Sequence, residues 1–248
     1  MHPAGGARED HSSAAARRGA CGVAAALALA AAACGQDVDP PWQLDHDRVI
    51  AVRATPPRIA TGEIAELDVL LGRAGAPPAE VDAEEVEVTS PSRLASALVR
   101  RGARWTVVAP DEAGLAAARA ELGLAATEPV PLQLRLTFTA PALVARKTVW
   151  LGPRAQNPTL DPITIDGASA LELTELSVGI AVDVPVAVDL DDRYNINWLT
   201  SCGTMHDFDL ARAYLRVEPE DHKEGTFALV VRDELGGVAW KTWAISAR

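Results

Sequence analysis

Apolar residues recur at every second position through most of this chain, the period of a strand with one buried face. The segment 130–140 is the plainest case: Leu132, Leu134, Leu136 and Phe138 alternate with Gln133, Arg135, Thr137 and Thr139. Strands are predicted also for 48–59, broken at Pro56-Pro57, for 63–72, for 84–90, and for 146–152 as the hairpin neighbour of 130–140. One stretch departs from the period. From Asp111, a good N-cap, an alanine- and leucine-rich interior runs to Gly123, a natural stop, and predicts a helix inserted into a β domain.

The segment 152–167 is rich in Pro, Gly and Asn and is the predicted boundary between two domains, 47–152 and 158–248. Beyond it, 182–191 alternates again, with Val182, Val184, Val186, Val188 and Leu190 on the core face and Asp183, Ala187, Asp189 and Asp191 outside. Pro185 on the outer face predicts an edge strand or a bulge. Four more strands follow at 194–203, 211–218, 226–233 and 238–246. The last two join across Glu234-Leu235-Gly236-Gly237, where glycine supplies the positive φ of a tight hairpin. Short strands at regular spacing predict β-sandwiches, the first with a short helical insertion.

The amino terminus follows other rules. An apolar run from Gly19 to Ala33 follows Arg17-Arg18 and is too short to span a bilayer. A basic pair, a short apolar stretch and small residues before a cut mark a secretory signal over 1–33. Leu29, four alanines and Cys34 resemble a bacterial lipobox, although Leu29 stands five residues before the cysteine rather than three. The resemblance implies a diacylglycerol thioether on Cys34, an acyl chain on its amine, and a membrane as partner through that anchor. The expected location is therefore the bacterial cell envelope, facing the periplasm or the cell surface. Residues 34–46 are polar, acidic and proline-bearing and predict a lipidated tether. Trp42 in that tether is a candidate for the membrane interface.

"INWLTSCGT" and "YLRVEPEDHKEGTFALVVRDELGGVAW" resemble the immunoglobulin-like and PKD-like repeats of bacterial lipoproteins and surface proteins. In those repeats a tryptophan sits on the third strand, where Trp198 falls, and an Asp-x-x-Gly-Gly hairpin closes the fold. The resemblance implies a mainly β protein of two immunoglobulin-like sandwiches in tandem. It departs from the pattern where Leu229 replaces a second cysteine, leaving Cys202 without a disulfide partner, and where W-x-x-G-D-G is absent.

Charge narrows the partners. The chain carries 23 basic and 34 acidic residues; without the leader's three and two, the balance is 20 against 32, or −12. Phosphate backbones would be repelled, which argues against nucleic acid. Asp189, Asp191, Asp192, Asp207 and Asp209 raise a calcium site, but no EF-hand loop is present, and alternation already accounts for several of them as a solvated face. There is neither H-E-x-x-H nor G-x-S-x-G. Cys202 and His206 suggest a thiol–imidazole pair, against the plainer account of a buried thiol and a loop histidine. Trp240 and Trp243 are three apart and so face opposite ways; one belongs with Trp198, the other to domain packing or to a ligand, and Trp243 is the candidate binding residue. The expectation is a non-enzymatic structural or binding module without cofactor or metal, whose partner is an envelope protein or glycan. The alternative is an envelope hydrolase, or its accessory subunit, with a site between the domains.

Overall fold

The alternation at 130–140 becomes strand β8 (Val130–Thr139), in which Leu132, Leu134, Leu136 and Phe138 are buried. The computed structural model describes residues 39–248. Cys34 and the signal segment lie outside them. The first half continues as β1 (Arg48–Thr55), β2 (Arg58–Ile59), β3 (Ile64–Arg73), β4 (Ala76–Val81), β5 (Glu85–Ser90), β6 (Leu98–Arg101), β7 (Arg104–Val108), helix α1 (Glu112–Leu122) and β9 (Ala142–Leu151). Asp111 caps the helix by accepting from the Gly114 N–H, and Gly123 ends it at φ 69°. Both follow from the side chains alone: a short carboxylate reaches an orphan amide, and only glycine takes the left-handed turn without cost.

The second half comprises β10 (Ile163–Ile165), β11 (Ala168–Ser169), β12 (Glu175–Val178), β13 (Asp183–Val188), β14 (Asn195–Thr200), β15 (Thr204–His206), β16 (Arg212–Arg216), β17 (Glu224–Arg232) and β18 (Val238–Ala247). The two halves repeat one strand order. In the first, β1-β3-β7-β6 faces β2-β9-β8-β5; in the second, β10-β13-β16-β15 faces β12-β18-β17-β14. Each half's opening strand changes sheets, so that β2 runs parallel to β9 and β12 parallel to β18. This is a tandem immunoglobulin-like β-sandwich. One buried cluster draws on residues from Val52 to Leu151 and another on residues from Leu160 to Ala247.

Pro185 is not on an edge: β13 lies between β10 and β16. The proline is tolerated because the residue opposite it, Asp166, lies just past the end of β10 at φ 50°, where the chain is already turning out of the ladder. Its carbonyl still accepts from the Asp166 N–H at 2.8 Å. Val182, expected on the core face, precedes the strand and is 49% exposed.

Trp198 is fully buried, stacks on Phe227 at 5.6 Å, and donates its indole N–H to the Leu210 carbonyl. Cys202 is buried and reduced; its thiol donates to the His222 carbonyl, and burial pushes its pKa up. Residues 40–248 form a single compact unit.

Candidate functional site

The most heavily built feature outside the two cores is the seam where they meet. In β17 every residue from Thr226 to Val231 is buried. Phe227, Leu229 and Val231 fill their own sandwich, whereas Ala228 and Val230 face Ile50, Ala51 and Leu70 of the first. A sheet covered on both faces loses the alternation that water imposes on one. The carbon side of the seam is therefore a third small core.

Polar groups close its rim. Arg232, drawn below its usual guanidinium pKa by burial and by neighbouring Arg48, donates to the Ile50 carbonyl and to the Asn197 side chain, both at 2.7 Å. Lys147 donates to the Gly236 carbonyl at 2.6 Å, and burial brings its pKa down to about 8. In the linker, the Asn157 amide donates to the Ala54 carbonyl and accepts from the Val238 N–H, tying both halves to one side chain. The Arg53 guanidinium lies 3.9 Å over the Trp240 ring, whose N–H donates to Glu80.

The amino-terminal approach is part of this seam. The predicted tether does not run free to residue 46. Leu44 is 1% exposed, and Trp42 packs against the second core. Their backbones pair with Thr200, so that Leu44 N–H donates to the Thr200 carbonyl and Thr200 N–H to that of Trp42. An apolar residue two positions from another, flanking an unpaired strand edge, makes a bridge to that edge more favourable than a solvated linker.

The sequence-predicted site residues are dispersed. Trp243, the candidate binding residue, is 1% exposed, packs 5.6 Å from Phe227 and donates to the Ala170 carbonyl; it offers no surface to a ligand. Strand pairing opposes it to Phe227 and so turns it into the core, and Trp240 takes the seam side. His206 stacks on Tyr214 at 4.4 Å while the Cys202 thiol bonds elsewhere, so no hydrogen bond joins the two. A buried thiol with a raised pKa is a poor nucleophile. Asp191 is held by Arg193 at 2.8 Å. Among the described residues no group of three or more His, Cys, Asp and Glu side chains is placed to hold a metal ion, and no helix is long and apolar enough to cross a membrane.

A cleft of about 680 Å³ opens beside the seam, between the β3–β4 turn and the second sandwich. Ser201, His222 and Glu224 line it, with Arg73 and Arg248. The Ser201 hydroxyl accepts from the Thr226 N–H at 2.9 Å, and no hydrogen bond joins it to His222. Reasoning from sequence missed Asn157, Lys147 and Arg232 as seam residues. Their only signal was context: one asparagine in a proline-rich linker, and cations flanking apolar strands.

No protein-family model matches the chain, and no curated protein matches it in sequence. Among solved structures, the N-terminal Ig1-2 module of the Drosophila receptor protein tyrosine phosphatase DLAR is 10% identical, with 82% of this chain and 99% of that one covered, at a TM-score of 0.28. The two tandem V-type regions of a v-region-containing chitin-binding protein are 9% identical over 80% and 100%, at 0.32. A nucleoside hydrolase-related protein from Saccharophagus degradans is 12% identical over 35% of this chain and 25% of that one, at 0.29. Likeness of that extent leaves the fold resting on the strand order of the chain itself. An immunoglobulin-like fold suits a binding or structural module.

Proposed function

We propose that this chain is a lipid-anchored cell-envelope protein, a binding or structural module in which two sandwiches act as one rigid piece. The seam carries the reading: a buried apolar layer that includes Leu44 and four cross-bonds fix one half on the other, as suits a body that presents surfaces rather than one that opens and closes. Only residues 35–39 separate Cys34 from the compact unit. Acylated there, the protein would be held at the membrane; several acyl chains anchor firmly where one does not. Cys34→Ala should release the protein into the soluble envelope fraction and abolish incorporation of labelled palmitate. A mutant that stays in membranes with its label would sink the anchor.

A second reading, an envelope hydrolase or its accessory subunit, draws on Ser201, His222 and Glu224 lining the seam cleft. A fluorophosphonate probe that labels the full chain but not Ser201→Ala would favour it.

A further inference from the structure

The outer faces of the two equivalent sheets differ in what covers them. That of β12-β18-β17-β14 lies under the first sandwich, whereas that of β2-β9-β8-β5 forms a shallow hollow of about 790 Å³. Strand register sets out its chemistry. Arg135 stands directly opposite Arg146, Gln133 opposite Thr148, and Thr137 opposite Val144, with Glu87 on the far side of Arg135.

Like charges opposed across two strands destabilise a sheet. In a chain with 34 acidic residues some arginines have a carboxylate partner, Arg93, Arg104, Arg154, Arg193 and Arg216 among them, and others, such as Arg100, Arg101 and Arg212, have no ion pair among the described residues. Here Glu87 reaches Arg135 at 3.4 Å, and Arg146 has no ion pair among the described residues. Both arginines are exposed. The arrangement leaves a guanidinium pair short of one anion.

We propose that this face binds a carboxylated polysaccharide, with Arg146 and Arg135 gripping a carboxylate and Thr89, Gln133 and Thr148 bonding ring hydroxyls. The planar guanidinium fork matches a carboxylate in bidentate fashion. Hydroxyl and amide side chains both donate and accept, as sugar hydroxyls do. A protein partner would need an apolar centre, and Val144 is the one exposed large apolar side chain in this hollow. Nucleic acid, with a charge every ~1.7 Å of duplex, meets stronger repulsion from the net charge of −11 than a glycan with at most one carboxylate per sugar does. The proposal rests on the binding-module reading but not on the anchor, since loss of lipid from Cys34→Ala would leave this surface unchanged.

Titration of the full chain with oligogalacturonate tests it. Wild type should bind; Arg146→Gln should weaken binding at least tenfold and Arg135→Gln/Arg146→Gln should abolish it, with melting temperature unchanged or raised because a like-charge contact is gone. Arg212→Gln, removing an exposed arginine of the other sandwich, should keep affinity within twofold. The proposal is overturned if wild type does not bind, or if Arg212→Gln weakens binding as much as Arg146→Gln. Equal affinity for an oligoglutamate or a single-stranded oligodeoxynucleotide of the same length would overturn it as well.

Discussion

The two sandwiches share a strand order and differ in how they use it. The first fills its core mainly with aliphatic side chains, Leu132, Leu134, Leu136 and Leu151 among them, beside Phe138. The second is centred on the aromatic series Trp198, Phe227 and Trp243. The sharper contrast is between their equivalent strands β8 and β17. In β8, buried positions alternate with exposed or partly buried ones from end to end; in β17, six consecutive residues are buried. The topology is the same, so the difference comes from the neighbour: water covers one outer face and the other sandwich covers the second. Solvation of a sheet's outer face, not its strand order, thus decides whether its sequence alternates.

Three substitutions test that contrast from the core outward. Trp198→Ala should cost about 3–5 kcal/mol, as large core truncations do, because the side chain is fully buried and its indole bond to Leu210 is lost. Chemical denaturation that shows a loss under about 1 kcal/mol would remove the aromatic centre from the account. Val230→Asp should cost about 3 kcal/mol or more by placing an unpaired charge in the seam. Gln133→Asp, on the open face of β8 with Ser90 and Thr148 opposite it, should change stability by less than about 1 kcal/mol. Equal effects at the two positions would mean that the seam is not desolvated.

Lys147 adds a pH signature. Its folded pKa is about 8, because burial outweighs the attraction of Asp233, and Arg232 lowers it further. A lysine depressed in the folded state penalises folding while charged. The penalty is complete below the folded value and is relieved as pH rises toward the unfolded value near 10.4. Wild type should therefore gain about 3 kcal/mol relative to Lys147→Met between pH 8 and 10.5. The difference between the two proteins is the quantity to follow, because the Cys202 thiol, raised by burial, contributes with the opposite sign. A flat difference would mean that the amine is solvated.

Much of this was legible in the chain. Strands with one wet face announced themselves by alternation, and the helix announced itself through Asp111 and Gly123. Strands β6 and β7 did not, because Arg100, Arg101 and Arg104 around the Gly102 turn mask a short pattern whose outer side is solvated. For the tryptophans, period two gives opposite faces but not which face is which; pairing of Phe227 with Trp243 decides that. The run "FALVV" held a signal for the seam, since a strand with only one covered face has no use for Ala228 and Val230 on the other. The polar closures were illegible because Arg232–Ile50 and Lys147–Gly236 join residues 182 and 89 positions apart.

A modest loss confined to one sandwich tests whether the seam couples the halves. The connection into β8 carries α1, whereas the equivalent connection into β17 is a short turn closed by Asp221, which accepts from the Glu218 N–H. Asp111→Ala removes a cap from the first sandwich alone, a loss of about 1 kcal/mol. Leu115 and Ala118 on the helix are buried in the first core and have no contact with the aromatic centre of the second. If each sandwich melted on its own, only one of two transitions would move. With the seam closed, unfolding of either half exposes Ala228 and Val230, so the halves should melt together. Calorimetry of Asp111→Ala should then show one transition displaced downward by about 2–4 °C. A split transition, with the second sandwich unmoved, would make the seam a contact and not a coupling.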